Sequence, residues 1–296
     1  MKCDVTVIVA TYRRNQELSR ALKSLAQQEF DDFEILVVDD NDDPNWNELV
    51  KAAVSDVATA YPHLSITHIE NHPNLGSAQA RNIGIAAAHG KYITFLDDDD
   101  LYLPEKIAVQ YQFMESNKLD YSLTDLDLYR EDDCLLEQRN RSYVEKVDPD
   151  SLFRYHMMHH LTGTDTMMFT KEYLDRIEGF APIDVGDEFY LMERAILAGG
   201  RFGHLPRCDV KAYIHYGEGG LSSGQQKVLG ENNLFEYKKQ YFHRFDKKCV
   251  RFIKMRHYAV LAYAYLRMRK FGVAMKEAMH AFLCSPIGCV KLFLNR

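Results

Sequence analysis

The sequence predicts an α/β protein: a mostly parallel sheet flanked by helices, followed by a helical extension. Two observations carry this prediction. Over the first hundred residues, short β-branched apolar runs alternate with amphipathic helical patterns, and the links between them are short. Such alternation is typical of parallel strands joined by helical crossovers. After residue 230 the pattern becomes helical, basic and rich in tyrosine, so we expect a first domain over 1–230 and a basic helical extension over 231–296.

Each element rests on a local pattern. Residues 5–10 (VTVIVA) form a β-branched run, typical of a buried parallel strand. Asn15 is placed to cap the following helix with its side chain. The predicted strands are 5–10, 33–38, 64–69, 91–96, 121–129, 166–170 and 212–215, and the predicted helices are 16–28, 46–60, 77–88, 105–117, 187–197 and most of the chain after 232. The charged stretch 130–150 is predicted to be a loop or a solvated hairpin.

The composition excludes several classes of protein. With 46% hydrophobic and 27% charged residues, the chain is not expected to be disordered. Its apolar runs fall short of the about 18–20 residues that a membrane-spanning helix needs, and the first run is too short for a signal peptide. The six cysteines are scattered without a CxxC pair, which argues against zinc or disulfides and fits a reducing cytoplasm.

The charge is distributed unevenly. Residues 247–296 carry 11 Lys/Arg and a single acidic residue, Glu277, for a net charge of +10, whereas the rest of the chain carries 25 Lys/Arg and 42 Asp/Glu, a net of −17. A basic tail on an acidic body indicates an anionic surface as its partner, such as a membrane. The alternative is a helical appendage packed on the first domain or on a partner protomer. The basic residues Arg251, Lys254, Arg256, Arg267, Arg269 and Lys270 are interleaved with Phe252, Ile253, Tyr258, Leu261, Tyr265 and Leu266.

Three polar clusters follow predicted strands at the point where each strand ends. In α/β sheets, ligands bind beyond the carboxyl ends of the strands, so we expect these clusters to form one site that binds a nucleotide and a metal. Adjacent carboxylates repel one another unless a cation lies against them, and hard oxygen ligands suit Mg²⁺ or Mn²⁺. The alternative is a solvated acidic turn that caps the next helix. The clusters are Thr11, Tyr12 and Arg13; Asp39 and Asp40; and Asp97, Asp98, Asp99 and Asp100.

The chain contains neither GxGxxG nor GxxxxGK[ST], so a dinucleotide or a P-loop triphosphate is not expected. The nucleotide must then be held by side chains and by a metal that bridges its phosphates, which indicates a diphosphate leaving group. Arg81, on the helix before the acidic strand, is a candidate to contact that diphosphate. The alternative is an ordinary exposed helix arginine.

Five motifs in this order resemble the family 2 glycosyltransferases of the GT-A fold, over about residues 4–225. They are VIVATYR at 7–13, VVDDN at 37–41, NLG at 74–76, ARNIG at 80–84 and FLDDDD at 95–100. The resemblance implies an inverting, metal-dependent hexosyl- or N-acetylhexosaminyl-transferase that uses a nucleotide-diphospho-sugar, with UDP as the expected nucleotide.

The resemblance also implies roles for residues. Asp97-x-Asp99 matches the DxD motif, with Asp99 as the more direct metal ligand, Asp98 at the ribose, and Asp100 as a helix cap or a support of the ligands. His215 lies where some relatives carry a histidine near the metal or the diphosphate; the alternative is a packed histidine. Thr11, Tyr12, Arg13, Asp39 and Asp40 resemble the nucleoside contacts, and Arg81 resembles the residue near the diphosphate.

The general base is left between two residues. Asp187 and Glu188 resemble the family's acidic stretch in reversed order. Alignment on the flanking residues selects Glu188 as the base, whereas matching the residue type selects Asp187. The chemistry slightly favours Asp187, and both are kept as candidates. Consecutive helix residues point about 100° apart, so we expect one of the two to face the acceptor. The alternative is a solvated helix start favoured by the helix dipole.

These expectations combine into one hypothesis: glycosyl transfer to a glycan or lipid-linked acceptor in cell-surface polysaccharide or glycolipid synthesis. The alternatives are a sugar-phosphate nucleotidyltransferase and a non-catalytic GT-A binding protein. We expect a cytoplasmic protein, peripheral on the inner face of the cytoplasmic membrane, with no nucleic-acid partner; a homodimer is left open.

Overall fold

A nine-stranded mixed sheet organises the chain in a computed structural model that describes residues 3–183, 186–214 and 224–294. The strands are β1 Val5–Thr11, β2 Phe33–Asp39, β3 Ser65–Glu70, β4 Tyr92–Phe95, β5 Leu101–Tyr102, β6 Tyr121–Arg130, β7 Leu135–Arg139, β8 Met167–Thr170 and β9 Phe202–Ile214. The helices are α1 Gln16–Ala26, α2 Pro44–Ala60, α3 Ser77–Ala87, α4 Lys106–Asn117, α5 Pro149–His159, α6 Lys171–Arg176, α7 Asp187–Leu197, α8 Gly224–Lys239, α9 Lys247–Arg267, α10 Phe271–Cys284 and α11 Pro286–Leu294.

The sheet order brings the polar strand ends together. The strands run β3-β2-β1-β4-β8-β6-β9-β5, with β7 paired to β6. Strands β1, β2, β3 and β4 are mutually parallel neighbours, and Thr11 at the end of β1 lies beside Asp39 at the end of β2. Strand β8 is antiparallel to β4, so its beginning lies at the edge where β4 ends. The predicted α/β class with a mostly parallel N-terminal sheet is confirmed.

Two expectations about elements are wrong. Asn15 occupies the position before α1 but makes no side-chain cap hydrogen bond. Only the last residues of β9 were expected as a strand, whereas it spans thirteen residues. Its register against β6 shifts between Leu205 and Cys208, which places Pro206 in the irregular stretch. Proline interrupts a ladder of hydrogen bonds, and an irregular stretch of this kind breaks the alternating pattern by which a strand is recognised in a sequence.

The chain divides into two compact units. Among the described residues, one unit holds those up to Pro149 together with 162–214, and the other holds Asp150–Leu161 with those beyond Ile214. The predicted boundary at residue 230 falls inside α8 and stays a prediction. Among the described helices, none combines the length and the hydropathy that crossing a bilayer requires.

The apolar residues of the basic tail mostly face inward. Ile253 and Leu261 on α9 are buried, so these two cannot lie on a membrane as the sequence pattern suggested. Phe252, Tyr258 and Tyr265 are half-buried, and Leu266 is exposed. Most of the large exposed apolar side chains of this unit lie further along, on α10 and α11, although Leu229 on α8 and Tyr263 on α9 are exposed as well.

Candidate active site

The ends of β1 and β4 meet through Asp98. Its Oδ2 accepts a hydrogen bond of 2.7 Å from the Thr11 hydroxyl and one of 3.3 Å from the backbone N–H of Tyr12. Burial, reinforced by the charge of Asp99, raises the pKa of Asp98 to about 7. The Tyr12 ring is 47% exposed, which leaves it available to a flat ligand. The expected convergence of strand ends is therefore present.

Three other carboxylates form a group at the end of β4. One carboxylate oxygen each from Asp97, Asp100 and Asp165 lies within 4.8 Å of the others. The Asp97 backbone N–H donates to Asp165 at 2.6 Å. Burial, and then the charge of Asp165, raises the pKa of both Asp97 and Asp100 well above their usual range. Closely spaced carboxylates that repel one another are a fitting set for a hard divalent cation, because the cation would compensate their negative charge.

Asp99 points to a different partner. Its carboxylate lies 2.8 Å from the Arg14 guanidinium, which is also 3.9 Å from Asp98. Arg14 thus neutralises part of the acidic run. Its role, and that of Asp165, escaped the sequence analysis. Asp165 immediately precedes a predicted strand, but only the position of β8 beside β4 brings it to the site.

Arg81 joins the acidic strand end to helix α7. It donates from Nη2 to Asp97 and from Nη1 to Asp187, each at 2.6 Å. Burial alone would lower the pKa of Arg81, but the carboxylates of Asp187 and Asp97 raise it above its ordinary value. Arg81 is therefore not an exposed helix arginine. Both terminal nitrogens of Arg81 bind carboxylates. Its predicted contact with a diphosphate stays a prediction.

The two candidate bases differ in their surroundings. Gly186 has a φ of 79°, which lets the chain turn sharply into α7 at Asp187. Asp187 is buried, with one oxygen on Arg81 and the other accepting the Glu188 backbone N–H at 2.8 Å. Glu188 is half-buried, and its charge contributes to raising the pKa of Arg81. Asp187 is thus fixed in place, and Glu188 is the more accessible carboxylate.

The carboxylates at the end of β2 are held by the protein itself. Asp39 accepts from Asn41 at 2.6 Å and contacts His68 at 3.1 Å. Asp40 accepts the backbone N–H groups of Leu75 at 2.9 Å and Gly76 at 2.7 Å, where α3 begins. Both carboxylates are fully buried or nearly so. Their predicted contacts with a nucleoside stay predictions.

Replacing Asp40 with asparagine is expected to lower the free energy of unfolding by about 2–3 kcal/mol. The amide would turn a donor towards a backbone N–H and remove a favourable charge near the start of α3. Urea denaturation measures the loss. The control is Asp42→Asn, since Asp42 is exposed and bonds the exposed His72; we expect a change within about 0.5 kcal/mol. Equal losses in both variants would contradict the prediction.

Asp100 and His215 are the remaining predicted site residues. Asp100 does not cap a helix, because α4 begins at Lys106 and the Asp100 carboxylate accepts the Tyr213 backbone N–H at 2.8 Å. It is buried against β9 instead. His215, the predicted metal neighbour, lies outside the described residues.

The curled mixed sheet, the acidic end of β4 and the C-terminal helices define the GT-A fold. The sequence profile of glycosyl transferase family 2 matches residues 6–185, and the chain belongs to this family. A mannosyltransferase from Pyrobaculum calidifontis in complex with GDP-Man and Mn²⁺ superposes with a TM-score of 0.59 at 19% identity, covering 100% of this chain and 79% of that one. Residues 1–349 of Staphylococcus aureus TarS in complex with UDP-GlcNAc give 0.59 at 17% identity, covering 94% and 89%. These identities establish the fold alone.

Curated relatives agree on the family. An uncharacterized glycosyltransferase of Rickettsia bellii is 35% identical over 136 residues, which is 46% of this chain but only 19% of the relative's length. The putative colanic acid biosynthesis glycosyl transferase WcaA of Escherichia coli K12 is 25% identical over 250 residues, covering 82% of this chain and 84% of WcaA.

Proposed function

We propose that this protein is an inverting, metal-dependent glycosyltransferase that moves a hexosyl or N-acetylhexosaminyl group from a nucleotide-diphospho-sugar to an acceptor hydroxyl. The observation that carries the proposal is the Arg81 bridge between Asp97 and Asp187. It connects the acidic strand end, where a diphosphate would lie, to the helix that presents Glu188. The groups proposed to act on the donor and on the acceptor therefore lie close together in one unit of the chain.

The donor site is built at the ends of β1 and β4. The exposed Tyr12 ring offers a surface for the base, and Thr11 and Asp98 offer hydroxyl and carboxylate groups for the sugar. Arg13 adds a cation beside Tyr12. We expect UDP as the nucleotide.

Mn²⁺ or Mg²⁺ would be held among Asp97, Asp100 and Asp165, with Asp99 and His215 as the further ligands that the family motif implies. When bound, such an ion neutralises negative charge on the departing diphosphate, so the leaving group needs no proton. The protein itself contributes the oxygen donors, and Arg81 fixes Asp97 among them.

We assign the general base to Glu188. Inversion requires one carboxylate that accepts the proton of the acceptor hydroxyl while this oxygen attacks the anomeric carbon from the face opposite the diphosphate. Asp187 is poorly suited to that task, because Arg81 and the Glu188 backbone N–H occupy its two oxygens. Asp187 then orients the start of α7 as a positioning residue.

The acceptor is proposed from relatives. WcaA is named for colanic acid biosynthesis, which favours a glycan or lipid-linked acceptor in cell-surface polysaccharide or glycolipid assembly. We expect the protein to work in the cytoplasm at the inner face of the membrane.

Asp99→Ala tests the metal and the reaction together. We expect metal-dependent release of nucleoside diphosphate, measured with acceptor present, to fall by about 100-fold or more. The thermal stabilisation by Mn²⁺ alone should fall as well, because a ligand stabilises the folded state in proportion to its binding. Asp56→Ala, on the exposed side of α2, is the matched control and should behave as the wild type.

The products separate the alternatives. Release of pyrophosphate from a nucleoside triphosphate and a sugar phosphate, without release of nucleoside diphosphate from a nucleotide-sugar, would indicate nucleotidyl transfer. No release with any nucleotide-sugar that stabilises the protein would indicate a binding protein. Unchanged turnover and unchanged Mn²⁺ stabilisation in Asp99→Ala would refute the assignment of Asp99 as a metal ligand. The anomeric configuration of the product, read by NMR, decides between inversion and retention.

A further inference from the structure

Helix α10 carries an apolar face that is turned to solvent. Its inner side packs against α9 through the small residues Ala274 and Ala281, which are buried. At about 100° per residue, the large apolar residues of the other side fall within an arc of about 120°. We call these residues the α10 apolar face: Phe271 (63% exposed), Met275 (70%), Met279 (55%), Phe282 (49%) and Leu283 (72%).

This face is unusual for a water-soluble surface. Single exposed apolar residues are common, but a contiguous set of five on one helix marks an interaction site. The pattern continues into α11, where Ile287 and Val290 are also exposed. Covering the large apolar residues on the outer side of such a helix removes apolar surface from water, which favours a partner on that side.

The charges beside the face identify what covers it. Arg269 and Lys270 directly precede Phe271, and Lys276 falls at the edge of the apolar arc; all three are exposed. The one acidic residue from 247 to 296 is Glu277, and it contacts His280 at 3.0 Å on the less exposed side of the helix. In a two-fold dimer built on this face, like charges would meet. An anionic lipid surface complements them.

We propose that the α10 apolar face docks on an anionic lipid bilayer, with α10 lying in the plane of the interface. Phe271 and the methionines enter the boundary between headgroups and acyl chains, and the flanking lysines contact lipid phosphates. This surface differs from the α9 residues that the sequence pattern favoured. It goes beyond the transfer reaction and does not depend on it.

Co-sedimentation of the full chain with vesicles tests the proposal. We expect binding to phosphatidylcholine vesicles that contain phosphatidylglycerol, weaker binding to pure phosphatidylcholine, and release by salt. The triple variant Met275→Gln, Met279→Gln and Leu283→Gln should lower the partition coefficient by more than about tenfold. Lys270→Gln with Lys276→Gln should lower it by about tenfold and weaken the salt dependence.

The matched control replaces three exposed apolar residues of the other unit, Leu49, Val147 and Leu197, with glutamine. This variant should bind vesicles as the wild type does. Thermal unfolding of all variants separates lost binding from lost folding, and Leu283→Gln alone, the most exposed site, serves if the triple variant is unstable. The proposal is overturned if the wild type ignores anionic vesicles, or if the control loses as much binding as the triple variant. It is also overturned if sedimentation shows a homodimer that the triple variant abolishes.

Discussion

Glu188→Gln is expected to lower kcat for glycosyl transfer by about 10³ or more, because loss of a general base typically removes 10²–10⁴ of the rate. The donor should still bind, because Glu188 is not among the residues at the ends of β1 and β4 that form the proposed donor site. Stability should change little, because the side chain is half-buried and the substitution preserves its shape. Transfer assays with saturating donor, together with a donor titration, measure both quantities.

Asp187→Asn is the informative comparison. It leaves the shape of the residue but removes the charge that faces Arg81 at 2.6 Å. We expect it to lower the free energy of unfolding, with a smaller loss of kcat than in Glu188→Gln. Glu172→Gln, at an exposed site on α6, controls for a general charge effect. A larger loss of kcat in Asp187→Asn than in Glu188→Gln, with stability intact, would assign the general base to Asp187.

Local sequence patterns were sufficient to predict where the site lies. Strand ends at Thr11, Asp39 and Asp97 could be placed together because parallel strands share one edge. What the sequence could not supply is the order of the later strands. Asp165 joins the acidic group only because β8 is antiparallel to β4, and a short strand carries no signal about which neighbour it pairs with.

Partnerships between distant side chains were also beyond the sequence. Arg81 and Asp187 are separated by 106 positions, and the pair forms because α3 and the start of α7 meet at the same sheet edge. The roles of Asp39 and Asp40 illustrate the opposite limit. Their position at a strand end predicts ligand contacts, whereas the hydrogen bonds that they accept from Asn41 and Leu75 could not be read from the sequence.

Arg81→Ala should be among the most damaging substitutions in the chain. It leaves the buried carboxylate of Asp187 and the partly exposed one of Asp97 without their cation, and breaking a buried ion pair by removing one partner costs about 3–5 kcal/mol. Urea denaturation measures this loss. Arg139→Ala is the control, because Arg139 forms an exposed pair with Glu137 at 3.5 Å, and such pairs are worth about 0–1 kcal/mol.

A second substitution tests whether the loss arises from the unpaired charge. In the Arg81→Ala background, Asp187→Asn removes one of the two carboxylates that Arg81 neutralised, so the double variant should be more stable than Arg81→Ala alone. Simple loss of packing by the arginine side chain predicts the opposite, since the second change would add its own cost. The sign of this coupling therefore decides between an electrostatic and a steric role.

The same variants decide whether Arg81 also binds the diphosphate. Arg81→Lys keeps the charge but replaces two divergent N–H groups with one ammonium, which cannot hold Asp97 and Asp187 together in the same way. If Arg81 acts by organising carboxylates, Arg81→Lys should lower stability and kcat while nucleoside diphosphate still binds with near wild-type affinity. If Arg81 contacts the diphosphate directly, the affinity for nucleoside diphosphate should fall in step with kcat. Isothermal titration with the nucleotide, at matched metal concentration, distinguishes the two because it measures the ground state without the transfer step.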